Sequence, residues 1–506
     1  MKRRCGVLLP VSSLPSRYGI GAFSKEAYRF IDFLKAAGQT YWQILPLGQT
    51  GYGDSPYQSF STFAGNPYFI DLEQLVKAGY LTQGAVSRCH FGRNPEQVDY
   101  EAVYKNRFPL LRKAYENSPF ALQVKEEWAG SEYGKDRDAF AQFCEDNSWW
   151  LDDYALFSAL KDAHQGAAYI TWPADIRRRK PAALAAWREK LQNEIRFYSF
   201  QQYIFMQQWK ALKEYANESG ISIIGDIPIY VAFDSADTWS HPELFKFDRK
   251  GYPTVVAGCP PDGFAATGQL WGNPIYKWSY HKKTGYAWWL KRIQWCFTLY
   301  DVVRIDHFRG FDEYYAIPYG DPTAEFGHWE KGPGISLFKA VHEKLGEKQI
   351  IAEDLGFMTD SVVQLVKRTG YPGMKVLQFA FDSREESNYL PHTYTRNCVV
   401  YTGTHDNQTM RGWYDSESGE DKKFAEDYVG VTSEKTAAWS FIRCAFESVA
   451  DTCIIPMQDY LNLGDEARIN TPSTTGGNWV WRMKRGADSD ALAARMKNLA
   501  VTFKRV

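Results

Sequence analysis

The 506-residue chain has no apolar run near the ~20 residues a helical membrane span needs. Its basic start is followed by an apolar segment, Cys5–Val11, that is too short for a signal sequence and is interrupted by Pro10. No membrane partner is expected, and the compartment these features predict is the cytoplasm. Charge of one sign is also missing. Lys and Arg number 59 against 60 Asp and Glu, a net charge of -1, so nothing draws the chain to nucleic acid or a membrane surface by bulk electrostatics. The eight cysteines form no Cys-x-x-Cys pair and follow no regular spacing, which argues against a disulfide framework or a zinc site. Neither G-x-G-x-x-G nor G-x-x-x-x-G-K-[ST] follows any predicted strand, so a nucleotide cofactor has no support. There is no H-x-H or H-x-x-x-H spacing, no internal repeat and no low-complexity tract.

What remains is an ordinary globular composition, 44% apolar and 24% charged, with enough length for a large core and, by length alone, two to four domains. Aromatic residues reach 16%, including 18 Trp and 32 Tyr; they fill cores but also stack on the C–H faces of sugars. Eight short β-like runs recur: Gly6–Val11, Tyr41–Pro46, Ile221–Asp226, Val302–Asp306, Gln349–Glu353, Met374–Phe381, Cys398–Thr402 and Thr452–Pro456. Most are followed by a helical pattern, as in the stretch after Ser24, with Ala27, Phe30, Ile31 and Leu34 on one face. This alternation predicts an α/β fold, a (β/α)₈ TIM barrel, with an open doubly wound sheet as the alternative. Residues 1–70 are expected to form the first part of the barrel and 201–506 the remainder. Between them, 71–200 reads as a mostly helical insertion, including a helical pattern over Ala183–Lys213. A loop-rich insertion is expected at about 231–285, on the active-site rim.

In such a barrel, chemistry gathers at the C-terminal strand ends. Those ends carry Asp226, Arg304 with Asp306, Glu353 with Asp354, and His405 with Asp406. Arg304 and Asp306 are two apart and point to the same side of a strand whose other residues, Val302, Val303 and Ile305, are apolar. Three uses of clustered carboxylates compete. A divalent metal is disfavoured by Arg304 and the two histidines, whose positive charge falls where a cation would sit. Structural ion pairing is disfavoured because several strands repeat the pattern. Glycosidic-bond chemistry needs one ionised and one protonated carboxyl, with further polar groups to hold the sugar.

Several longer segments then carry a resemblance. Arg304-Ile305-Asp306-His307-Phe308-Arg309-Gly310, Ile351-Ala352-Glu353-Asp354-Leu355-Gly356 and Gly403-Thr404-His405-Asp406-Asn407 are similar to the catalytic segments of glycoside hydrolase family 77, the 4-α-glucanotransferases. Ser55-Pro56-Tyr57-Gln58, Gly225–Val231 and Gly268–Pro274 match as well, and the likeness runs from Ser12 to Trp479. The resemblance implies retaining transfer of an α-1,4-glucan segment, without cofactor or metal. Asp306 would be the nucleophile, Glu353 the acid and then the base, and Asp406 the holder of the distorted donor sugar. It also implies a binding set of Tyr57, Asp226, Gln269, Trp271, Asn273, Arg304, His307 and His405. Arg304 would orient Asp306, while Asp226 would line the donor site or else only cap the turn at Pro228. His307 would point away from the nucleophile on a regular strand, and reach the acceptor side only if the strand has ended. Asn470 and Asn478 fall in a turn-rich loop that either touches substrate or merely turns.

Neighbouring fourth and fifth strands suit a retaining pair, whose carboxyls lie ~5–5.5 Å apart. Acidic neighbours would raise the pKa of Glu353. Hydrolase and transferase share these two carboxyls; an aromatic cover over 251–274 would exclude water and favour transfer. An α-1,4-glucan hydrolase and a catalytically silent glucan-binding protein are the alternatives.

Overall fold

The computed structural model describes residues 3–51, 53–128, 130–261, 266–356, 358–474 and 476–506. Its centre is a barrel of eight parallel strands: β1 (Arg4–Leu8), β2 (Tyr41–Gln43), β3 (Ser222–Pro228), β4 (Val302–Asp306), β5 (Ile350–Ala352), β6 (Gly373–Val376), β7 (Cys398–Tyr401) and β8 (Thr452–Pro456). Ladders run β6-β7-β8-β1-β2-β3-β4-β5. Between β5 and β6 the ring is drawn together without a ladder, by the Ala352 N–H donating to the Pro372 carbonyl at 3.0 Å.

Alternation along each strand explains two cores. Leu8, Tyr41, Ile224, Val302, Ile351, Met374, Val399 and Ile454, one from each strand, pack together inside the barrel. Their neighbours in sequence, such as Val7, Trp42, Ile223, Val303, Ile305 and Val400, face outward into the larger core under the helices. The outer layer comes so close at β3 that the Tyr300 ring would lie 2.1 Å from a Cβ at Gly225, so no larger residue fits there. Helix Lys25–Ala36 follows β1 as its apolar face predicted, starting after Ser24 and ending before Gly38, whose φ of +66° suits glycine.

Between β2 and β3 the chain is mainly helical, from Leu72–Lys77 to Gln192–Glu218. The pattern expected over Ala183–Lys213 divides into Pro181–Lys190 and Gln192–Glu218, with Leu191 at φ −107°, ψ 24° between them. Residues 231–285 are less irregular than their Gly and Pro content implied. Val255–Cys259 and Gln269–Pro274 are strands, joined to Glu313–Pro318 and His328–Lys331 in a four-stranded antiparallel sheet. Two of those partners lie beyond β4, so no local alternation announced the sheet. Residues 262–265 of the expected cover lie outside the described residues. No helix among the described residues is long and apolar enough to cross a membrane.

At the barrel's N-terminal end, Arg505 is fully buried and donates to the carbonyls of Phe446 (3.0 Å), Ser448 (3.1 Å), Ala450 (2.9 Å) and Arg4 (3.2 Å). It ties β1 to the segment that leads into β8. Arg505→Ala would remove a buried donor from each of these carbonyls, leaving those of Phe446 and Ser448 to Arg3, so a loss of about 1–3 kcal/mol is expected, read as a lowered denaturation midpoint with the site chemistry intact.

Candidate active site

The strand register assembles the site from below. Ile224 and Asp226 on β3, and Val302, Arg304 and Asp306 on β4, alternate toward the barrel interior, and Asp226 sits opposite Arg304. Arg304 Nη1 donates to both oxygens of Asp226 at 2.9 and 2.7 Å, and its Nη2 lies 3.0 Å from Asp306 Oδ1. Asp226 and Arg304 are buried, whereas the Asp306 side chain keeps 30% exposure toward the cleft. A buried guanidinium is tolerable only with such partners. Burial would lower the Arg304 pKa, but Asp226 and Asp306 outweigh it and keep the cation charged. Asp226 therefore lies under the site as the counter-ion of Arg304. It neither lines the cleft nor caps the turn at Pro228, because it is fully buried and its oxygens accept from Arg304 and from the Tyr57 hydroxyl.

The strand stops at Asp306. His307 adopts φ +53° and starts the turn Phe308–Phe311, so it does not continue the alternation that would have pointed it away. The turn presents the His307 N–H to Glu353 Oε2 at 2.7 Å, and the Leu355 N–H reaches Oε1 at 2.9 Å. Glu353 is the first residue past β5. Its own N–H donates to the Ile305 carbonyl at 3.1 Å, and its carbonyl accepts from the Phe308 N–H at 3.0 Å. These bonds stitch it to the end of β4, beside Asp306. Burial first, then the Asp306 charge, pushes Glu353 up to about 7. Burial likewise raises Asp306, to about 6, against the pull of Arg304. Arg304 touches Asp306 directly, so of the two carboxyls Glu353 is the one that keeps a proton near neutrality.

Asp406 lies in the turn after β7. Asn407 Oδ1 accepts from the Thr404 N–H at 2.9 Å and from its hydroxyl at 2.8 Å, which shapes the turn. His405 Nε2 is 3.2 Å from Asp406 Oδ2, and Asn470 Nδ2 donates to Oδ1 at 2.6 Å. Burial alone would raise Asp406, but His405 and Asn470 hold it down at about 2. Tyr57 joins the two halves of the site. Its ring stacks on His405 (centroids 5.2 Å, 16° between planes), and its hydroxyl donates to Asp226 Oδ2 at 2.7 Å.

Asp306, His307, His405 and Asp406 open onto one cleft of ≈ 700 Å³, walled on one side by Gln269, Trp271 and Asn273. Trp271 donates to Gln269 Oε1 at 3.1 Å and meets the His307 ring edge-on at 4.7 Å. Asn273 pairs with the Gln58 side chain at 3.1 Å and donates to the Val231 carbonyl at 2.8 Å. A roomier hollow, ≈ 1000 Å³, opens at the N-terminal end of the barrel beside Arg4, Tyr41 and Val302, away from these acids. We take the smaller cleft as the site, because the carboxylates converge there.

The family profile described as 4-alpha-glucanotransferase, glycoside hydrolase family 77, matches residues 9–488. The chain belongs to this family. A 4-alpha-glucanotransferase of Clostridium butyricum is 49% identical over 98% of this chain and 99% of its own. One from Streptococcus pneumoniae is 49% identical over 100% and 98%. An amylomaltase from Streptococcus agalactiae, solved with acarbose, superposes with a TM-score of 0.95 at 42% identity, covering 100% of both chains.

The site of this family 77 chain holds residues that strand-end reasoning did not single out. Asn470 fixes Asp406, Tyr230 and Trp479 line the cleft, and Trp479 packs at 5.8 Å against both Tyr57 and His405. Asn470 and Trp479 lie in the loop after β8, where Gly, Thr and Pro read as turns. Asn478 is occupied with its own loop, accepting from the Thr471 N–H at 2.9 Å. Among the described residues no group of three or more His, Cys, Asp or Glu side chains is arranged to hold a metal ion.

Proposed function

We propose that this 4-alpha-glucanotransferase works by double displacement on Asp306 and Glu353. One observation carries the reading: the end of β4 offers a carboxylate ion-paired to Arg304, and the same turn binds the partner carboxyl through the His307 N–H. In the first step an Asp306 oxygen bonds to the anomeric carbon while the glycosidic bond breaks. The Glu353 proton goes to the departing 4-oxygen. In the second step the 4-hydroxyl of an acceptor glucan gives its proton to Glu353 and bonds to the same carbon, releasing Asp306. Asp406, ionised and 41% exposed to the cleft, accepts hydrogen bonds from donor hydroxyls and offsets the positive charge of the oxocarbenium-like state.

His405, Gln269, Asn273 and Tyr57 supply hydrogen bonds and a ring face to the donor, and Trp271 and His307 flank the acceptor. Asp226 acts on substrate only through Arg304 and Tyr57. The substrates are maltooligosaccharides and α-1,4 chains derived from amylose or glycogen. The acarbose bound by the Streptococcus agalactiae amylomaltase supports a glucan-shaped cleft here. Eight free cysteines agree with a cytoplasmic setting. Incubation with maltotriose tests the reading: glucose and a ladder of longer maltodextrins are expected, and steadily rising reducing ends with only glucose and maltose would refute transfer.

The competent state carries one proton on the pair. Burial raises both carboxyls into the range of about 6 to 7, so the pair carries two protons and cannot attack on the acid side, and none with which to protonate the leaving oxygen on the alkaline side. A narrow bell in kcat/KM centred between these values is expected, measured as initial rates of glucose release across buffers. A plateau extending well above pH 8 would remove Glu353 as the acid.

A further inference from the structure

The antiparallel sheet beside the cleft carries large apolar side chains in water. Leu270 lines the cleft and sits opposite Gly258, which sits opposite Tyr315, which sits opposite Trp329. Directly opposed residues of antiparallel strands project to one face. A single row therefore leads from the cleft wall across all four strands, ~14 Å by three strand spacings. At its far end Trp329 is 38% exposed, its ring held by Tyr315 at 5.2 Å and by the Arg309 guanidinium at 4.1 Å. Phe326 is 76% exposed, the highest value among the large apolar side chains of the described residues. It projects from a turn tied back to the cleft: the Ala324 N–H donates to the carbonyl of Thr267, a cleft residue, at 3.0 Å, and the Gly327 N–H donates to the Ala324 carbonyl at 3.4 Å.

A phenylalanine in solvent contributes nothing to this chain's own packing, and a tryptophan clamped from two sides is preorganised to receive a flat partner. We propose that Phe326 and Trp329 form a ledge on which glucan units beyond the cleft stack, so that long chains bind more tightly than short ones. The proposal rests on the transferase reading above. The occupant is a glucan because the row continues from the glucan cleft. A sugar ring also joins an apolar C–H face to a polar rim, which suits an aromatic ring with Lys331 two residues along on the same strand face. A few separated side chains fall well short of the ~800 Å² per partner that a stable protein interface buries.

Phe326→Ala is the decisive variant, since so exposed a side chain has no core to disturb. Initial rates on maltotriose and maltoheptaose, with light scattering for molar mass, separate the outcomes. We expect kcat/KM for maltoheptaose to fall about five- to tenfold, through KM, with the value for maltotriose within about twofold. Phe326→Tyr should restore the preference. An equal loss on both substrates, or no loss on either, overturns the ledge. A shift in molar mass in the variant also overturns it, because a second copy of the chain would then be the occupant. Failure of the transferase reading would appear separately, in the wild-type products alone.

Discussion

Asp306→Asn is expected to abolish transfer, by at least ~10⁴-fold in kcat, while maltodextrin binding remains measurable. The substitution keeps size and hydrogen-bonding reach but removes the charge that attacks. It also leaves Arg304 with a single anionic partner, Asp226, whose two bonds at 2.9 and 2.7 Å are independent of Asp306. The site should therefore stay assembled, and calorimetric titration with maltoheptaose should give an affinity near that of the wild type. Turnover at wild-type rates would remove Asp306 from its role. Loss of both turnover and binding would show instead that the ion pair holds the cleft together.

Glu353→Gln is expected to cost ~10³-fold or more on maltotriose, because neither leaving-group protonation nor acceptor deprotonation has another nearby group to perform it. The informative comparison uses maltotriosyl fluoride, whose leaving group needs no proton. The first step should then proceed far faster than on maltotriose, and the glycosyl-enzyme should accumulate because no base activates the acceptor. Mass spectrometry of the quenched enzyme would detect an ester at Asp306. The high-pH limb of the rate profile should vanish with the carboxyl that titrates at about 7. Equal impairment on fluoride and maltotriose would assign Glu353 a positioning role only.

The barrel was legible because most of its strands are short apolar runs rich in β-branched residues, separated by helical patterns. β4 and β8 have the ends their sequences suggested, since Asp306 and Pro456 close them sharply. The acidic strand ends could be read for the same reason: polar residues at the ends of apolar strands have little else to do. The antiparallel sheet was not legible. Its strands Val255–Cys259 and Gln269–Pro274 are rich in the small residues that elsewhere mark turns, and their pairing with Glu313–Pro318 is long-range. The place of Asp226 escaped because its partners come from other strands: register alone puts it opposite Arg304. The place of His307 depended on where the strand ends, which its sequence left open; the strand ends at Asp306, and a left-handed backbone turns the chain there. Asn470 stayed open between substrate contact and a plain turn, since an asparagine among Thr and Pro fits either; its bond to Asp406 comes from a distant loop.

The incomplete closure of the barrel falls next to Glu353. The strand before this residue has a full ladder on its β4 side, and only the Ala352-to-Pro372 bond on the other. Asp306 stands on a strand laddered on both sides. On the double-displacement reading, the proposed nucleophile thus stands on a strand paired along both edges, while the proposed acid and base follows a strand paired along one.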